Sequence, residues 1–309
     1  MSLHRLTSVT IGVPNVAETA AYYQAFGLSE VAPGRLATTD GGEQLILVES
    51  PRRRLVALGV GVDDPDDLDR VASQLGRLDV PIAERSPTAL VADEPVNDFR
   101  VTVEVAARLF QPPVELAAMN GPGRNERLNA RAEGVQRTGP VRIRKLGHVV
   151  LGTVDKDATQ RFFTEGLGFK VTDDVLGMAA FMRCSTDHHN FLAQQSPVHF
   201  LHHTSWEVDD VDEVGRGAMN VLEGHPERHV WGPGRHYVGS NFFWYLRDPA
   251  GNFSEYYADM DTITDDELWK PDVIADMRGL FSWGPPPPLP SFILPEDVAA
   301  HMTGAHSAG

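Results

Sequence analysis

One cysteine, Cys184, occurs in the 309 residues, so no intrachain disulfide can form and the chain suits a reducing compartment. It is expected as a small buried apolar side chain. No stretch approaches the ~20 consecutive apolar residues needed to cross a bilayer. The opening MSLHRLTSV also lacks the charged-then-apolar layout of a signal peptide, so the expected location is cytoplasmic, with no membrane partner. Basic residues are scarce too: 27 Lys and Arg stand against 43 Asp and Glu, a net charge of −16. With no sustained basic stripe, a nucleic-acid partner would meet repulsion instead of releasing counterions. Arg52, Arg53 and Arg54 form the sole basic cluster and are expected in a solvated turn. What remains is ordinary globular composition, 42% hydrophobic and 23% charged, at a length of about two domains.

The chain repeats itself. SVTIGVPNVAETAAYYQAFGLSEV from Ser8 matches HVVLGTVDKDATQRFFTEGLGFKV from His148 with an offset of 140, which sets Tyr22-Tyr23 on Phe162-Phe163. ALGVGVDDPDDLDRVASQLGRL from Ala57 pairs likewise with HTSWEVDDVDEVGRGAMNVL from His203. Each copy reads as an apolar strand, an Asp or Asn helix start, a helix with apolar residues at helical spacing, and further strands. The unit occurs four times, which predicts an α+β chain of two domains, each a pair of βαβββ modules. The predicted division is 1–135, 142–262, and a Pro-rich tail over 263–309, with the boundary in the polar stretch near 130–143.

The copies differ where chemistry could reside. His148 replaces Ser8, His203 replaces Ala57, and Glu255, after DPAGNF, has Arg100 or Val101 as its expected counterpart. Two histidines and one carboxylate form the facial triad of non-heme Fe(II) sites, which leaves positions open for substrate and oxygen. The separations of 55 and 52 residues follow if each ligand sits at the same place on successive modules. In the pair His202-His203, strand alternation allows one inward side chain. Asp155 and Asp210 lie seven residues after His148 and His203, so His203 is assigned inward and His202 to packing or solvent.

LGHVVLGTVD, LHHTSWEVDD and GPGRHYVGSNFFWYLRDPAGNFSEYY resemble the type I extradiol dioxygenases of the vicinal oxygen chelate superfamily, over about residues 5 to 260. Trp244 departs from the pattern, which prefers an aliphatic residue or Phe there. The resemblance implies the vicinal oxygen chelate fold with its active site in the C-terminal domain. It further implies Fe(II), with Mn(II) as second choice, and a catecholic substrate cleaved with O2. It also implies an acid/base histidine, for which His189 is favoured over His188, and a substrate-binding pair, His236 and Tyr245. Val150 either lines an oxygen pocket or is plain core, and Asp248 reads as a turn former. Two alternatives carry different chemistry: a non-catalytic small-molecule-binding protein, and a glyoxalase-like metalloprotein, whose sites generally take two carboxylates. The run Pro285 to Pro288 cannot pair in a sheet, so the tail is expected over the pocket mouth or over a neighbouring subunit. Oligomeric state is left open, a homo-oligomer included.

Overall fold

The computed structural model describes residues 3–115, 117–275 and 280–298. The first half runs β1 (Leu3–Val13), α1 (Val16–Phe26), β2 (Ser29–Ala32), β3 (Arg35–Thr38), β4 (Gly42–Glu49), β5 (Arg54–Val62), α2 (Pro65–Arg77), β6 (Ile82–Arg85), β7 (Ala89–Asp93) and β8 (Arg100–Val105). The second half repeats the order: β9 (Leu146–Thr153), α3 (Lys156–Arg161), β10 (Lys170–Val175), β11 (Ala179–Arg183), β12 (Phe191–Gln195), β13 (Phe200–Glu207), α4 (Val211–Leu222), β14 (His229–Arg235), β15 (Phe242–Arg247) and β16 (Phe253–Ala258). These are the four βαβββ modules of an α+β fold.

The sheet orders match strand for strand. The first is β2-β3-β4-β1-β5-β8-β7-β6, and the second is β10-β11-β12-β9-β13-β16-β15-β14 with β17 (Val273–Ile274) added beside β10. In each, the two modules meet at an antiparallel pair, β1 with β5 or β9 with β13, flanked by parallel pairs. The aligned aspartates of the repeats are helix caps. Asp64, Asp155 and Asp210 each accept the backbone N–H three residues on and so satisfy an orphan donor of the first turn.

The halves share one apolar core. Phe26 of α1 stacks on Tyr256 of β16 at 3.7 Å between ring centroids, and the Tyr256 hydroxyl donates to the Phe26 carbonyl at 2.6 Å. Arg53 corrects the expectation of a solvated basic turn. Its side chain is buried, donates to Leu201 O at 2.7 Å, and pairs with Asp297 at 2.6 Å. A guanidinium with five donors can tie three separate chain segments together, which is why one member of the cluster left the solvent. Cys184 is buried, as expected.

Candidate metal centre and its pocket

Sheet register explains how residues so far apart in sequence meet. His148 on β9 lies opposite Ser205 on β13, Ser205 opposite Glu255 on β16, and Glu255 opposite Tyr245 on β15. One row across four strands therefore carries His148, Glu255 and Tyr245, and His203 stands two residues from Ser205 on the same strand. The same row in the first sheet is Ser8, Gly59, Thr102 and Val91. The counterpart of Glu255 is thus Thr102, neither Arg100 nor Val101. The segments before the two strands differ in length, and only the pairing with β5 and β13 reveals the offset.

His148, His203 and Glu255 are buried, and each offers a ligand atom within 4.8 Å of the others. Glu255 Oε2 is 3.0 Å from His148 Nε2 and 3.5 Å from His203 Nε2, yet it accepts no hydrogen bond. A buried carboxylate oxygen left unsatisfied between two imidazole nitrogens is costly unless a cation completes it. Burial pulls His203 down to about 4 despite Glu255 beside it, so at neutral pH its ring is uncharged and can ligate. The donor set of two nitrogens and one oxygen fits a divalent first-row ion.

His202 does not follow the alternation expected of it. Leu201 pairs with Leu151 and His203 with Val150, so β13 carries one extra residue, a β-bulge at His202. The bulge brings His202 into the pocket lining beside His203, 2.7 Å between their Nδ1 atoms. Its Nε2 donates to the Phe292 carbonyl at 2.5 Å. A neutral His202 then has only a lone pair on Nδ1, which accepts the Nδ1–H of His203 and leaves His203 Nε2 facing Glu255. This partner was missed in the sequence, because a bulge has no signature in the HisHis pair.

His188 and His189 lie in the loop between β11 and β12, not on a strand. His189 lines the pocket with its ring 4.2 Å from that of His148. His188 sits behind it, Nε2 donating to Asp173 Oδ2 at 2.9 Å, and its Nδ1 is 3.0 Å from His189 Nδ1. Asp173 thereby sets a chain of tautomers that ends with a lone pair on His189 Nε2, on the pocket side. Burial, with His148 and His188 adding, keeps His189 well below the ordinary histidine pKa. Gly239 passes against this ring at a φ of +81°, where a Cβ would meet His189 Cε1 at 3.3 Å and Met260 Sδ at 2.8 Å.

His236 Nε2 is 2.9 Å from the Tyr245 hydroxyl, and its Nδ1 bonds the Leu280 carbonyl. With Nδ1 donating, Nε2 accepts and the Tyr245 hydroxyl is the donor. Burial and the nearby Glu255 push the Tyr245 pKa well above its ordinary value. Asn241, which carried no sequence signal, donates to Glu255 Oε1 at 3.3 Å. Val150 lines the pocket. Asp248 caps its turn by accepting from the N–H groups of Ala250 and Asn252, both at 2.9 Å, as a turn former does. The described part of the tail lies over the pocket, where Leu280, Phe292 and Ile293 complete the wall.

A family model described as Glyoxalase/Bleomycin resistance protein/Dioxygenase superfamily matches residues 145–256. The metapyrocatechase 2 of Cupriavidus necator is 30% identical over 306 residues, 93% of this chain and 91% of that protein. Two solved structures share the fold. The Mn(II)-bound glyoxalase from Novosphingobium aromaticivorans has a TM-score of 0.72 at 23% identity, covering 92% of this chain and 91% of that one. Homoprotocatechuate 2,3-dioxygenase from Brevibacterium fuscum, in complex with 3,4-dihydroxyphenylacetate, has a TM-score of 0.73 at 20% identity, covering 94% and 92%.

Proposed function

The chain belongs to the extradiol dioxygenases of the vicinal oxygen chelate superfamily, and from that premise we propose that it is an Fe(II) enzyme inserting both atoms of O2 into a catechol with meta cleavage of the ring. The observation that carries this reading is the unsatisfied Glu255 Oε2 between His148 Nε2 and His203 Nε2, with His189, His236 and Tyr245 around the same small cavity. In it, residues 142–262 form the catalytic unit, and His148, His203 and Glu255 hold the ion. Iron(II), when bound, supplies the redox centre that lets O2 react with a diol. Mn(II) is the second choice, because a site of this composition accepts several divalent ions and affinity order alone does not favour iron.

The remaining steps belong to side chains. His189 Nε2, kept unprotonated first by burial and then by His148 and His188, takes a proton from a substrate hydroxyl and returns it later in the cycle, the work for which histidine is suited. Tyr245 and His236, which line the same cavity, bind and orient substrate oxygen. Phe181, Leu192, Val150 and Ile293 give the cavity an apolar wall.

The test is metal content after anaerobic reconstitution. His148→Ala, His203→Ala and Glu255→Ala should each lose stoichiometric iron, whereas Ser8→Ala and Thr102→Ala, at equivalent positions of the first sheet, should keep it. Full iron in any of the three would remove that residue from the site.

A further inference from the structure

A second chamber, about 370 Å³, opens beside the metal-side cavity. The two share Phe181, Leu192, Gln194, Leu280 and Ile293 as a common wall. The metal-side cavity is only about 70 Å³, space for on the order of five waters or one small ring. Across that shared lining, the chamber is the adjoining space for a sizeable group attached to a ring held there. Resting on the reading of the site as catechol-cleaving, we propose that this chamber holds the ring substituent of the substrate, and that the substituent is uncharged and apolar, an alkyl or aryl group.

The walls carry the chemical class. Val175, Met178, Ala179, Ile274 and Leu289 surround the chamber, and no charged side chain lines it among the described residues. Its two amides are engaged elsewhere. Gln194 Nε2 donates to Ile293 O at 2.9 Å, while Gln195 donates to Val154 O at 2.9 Å and accepts from Lys156 N at 3.1 Å. Among the described residues a carboxylate placed here would meet no cationic partner in the lining, and desolvating it unpaired is strongly unfavourable. The rim repeats the pattern: Leu176 and Met178 are 66% and 53% exposed, large apolar side chains facing water at the mouth. The net charge of −16 adds a general repulsion toward anionic substrates.

The test is binding, measured by calorimetry under argon on the full iron-loaded chain, so that no turnover intervenes. The probes are catechol, catechols with methyl to propyl chains at ring carbon 3 or 4, phenylcatechol, and 3,4-dihydroxyphenylacetate as the charged comparator. Affinity should rise roughly fourfold per buried methylene in one of the two positional series, about sixtyfold for a propyl chain. The carboxylate-bearing probe should bind more weakly than methylcatechol. Ala179→Phe, filling the chamber, should shrink the propyl-to-unsubstituted affinity ratio by about tenfold or more, and Met178→Glu at the exposed rim should shrink it in the same direction. Affinity that ignores chain length at both positions, or a carboxylate that binds as well as a propyl group, would overturn the proposal. The underlying reading fails separately: apolar preference without O2 uptake leaves the chamber standing and removes the ring cleavage, whereas O2 uptake without apolar preference does the reverse.

Discussion

His203 presents Nε2 to the site because of what its other nitrogen does. The Phe292 carbonyl takes the Nε2–H of His202, and His202 Nδ1 then takes the Nδ1–H of His203. Partners of this kind are worth about 10- to 100-fold in metal affinity. His202→Ala should therefore weaken iron binding by that amount without abolishing it, as read by chelator competition; unchanged affinity would make the contact mere packing. His189→Asn should keep iron and catechol binding but slow turnover by ~10² to 10⁴. If His188→Asn gave that loss and His189→Asn did not, the two roles would be exchanged. At this scale the sequence was legible where modules could be superimposed, as at Ser8 with His148 and Ala57 with His203. It failed where an element gains a residue: the bulge at His202 defeats alternation, and Thr102 aligns with Glu255 only through strand pairing. Asp173 and Asn241 had no signal at all, since their roles arise from contacts made only in the fold.

Among the elements, the tail departs furthest from what its composition suggests. A proline-rich stretch has few backbone donors for a sheet, yet the segment just before it contributes β17, paired in parallel with β10. Beyond it, Leu280 and Phe292 offer carbonyls to His236 and His202. Phe292 also packs its ring against His202, Tyr245, Trp231 and Phe253, at centroid distances from 4.9 to 5.9 Å. Of the two placements the sequence left open, the described part of the tail, through Leu280, Phe292 and Ile293, lies over the pocket of its own chain. The alternative could not be decided from composition, because an apolar patch of prolines and aromatics covers any apolar surface equally well. Phe292→Ala should cost about 3–5 kcal/mol, as for a large buried aromatic. The loss should appear as a lower midpoint in urea with an unchanged slope. An unaltered midpoint would mean that the tail adds nothing to the folded state.

The molecule as a whole is one module used four times and altered in one half. Its repeat was readable because each copy keeps the same apolar strand, capping residue and helix, so the fold class follows from a pattern present in the text, whereas the sheet order came from the structure. The first sheet keeps the architecture with Ser8, Ala57 and Thr102 at the positions equivalent to His148, His203 and Glu255, and packs Phe26 against Tyr256 of the second. No helix among the described residues is long and apolar enough to cross a membrane. Specificity was less readable, since the chamber is assembled from β10, β11, β12, β17 and the tail, elements whose proximity no spacing rule announces. The central claim is the reaction, and oxygen uptake by the iron-loaded chain over a panel of substituted catechols tests it most directly. One O2 consumed per ring, with a yellow, conjugated, ring-opened product, is the predicted result. A colourless muconate would place cleavage between the hydroxyls and contradict the account; neither colour nor oxygen uptake with iron fully loaded would make the chain a non-catalytic binding protein of this fold.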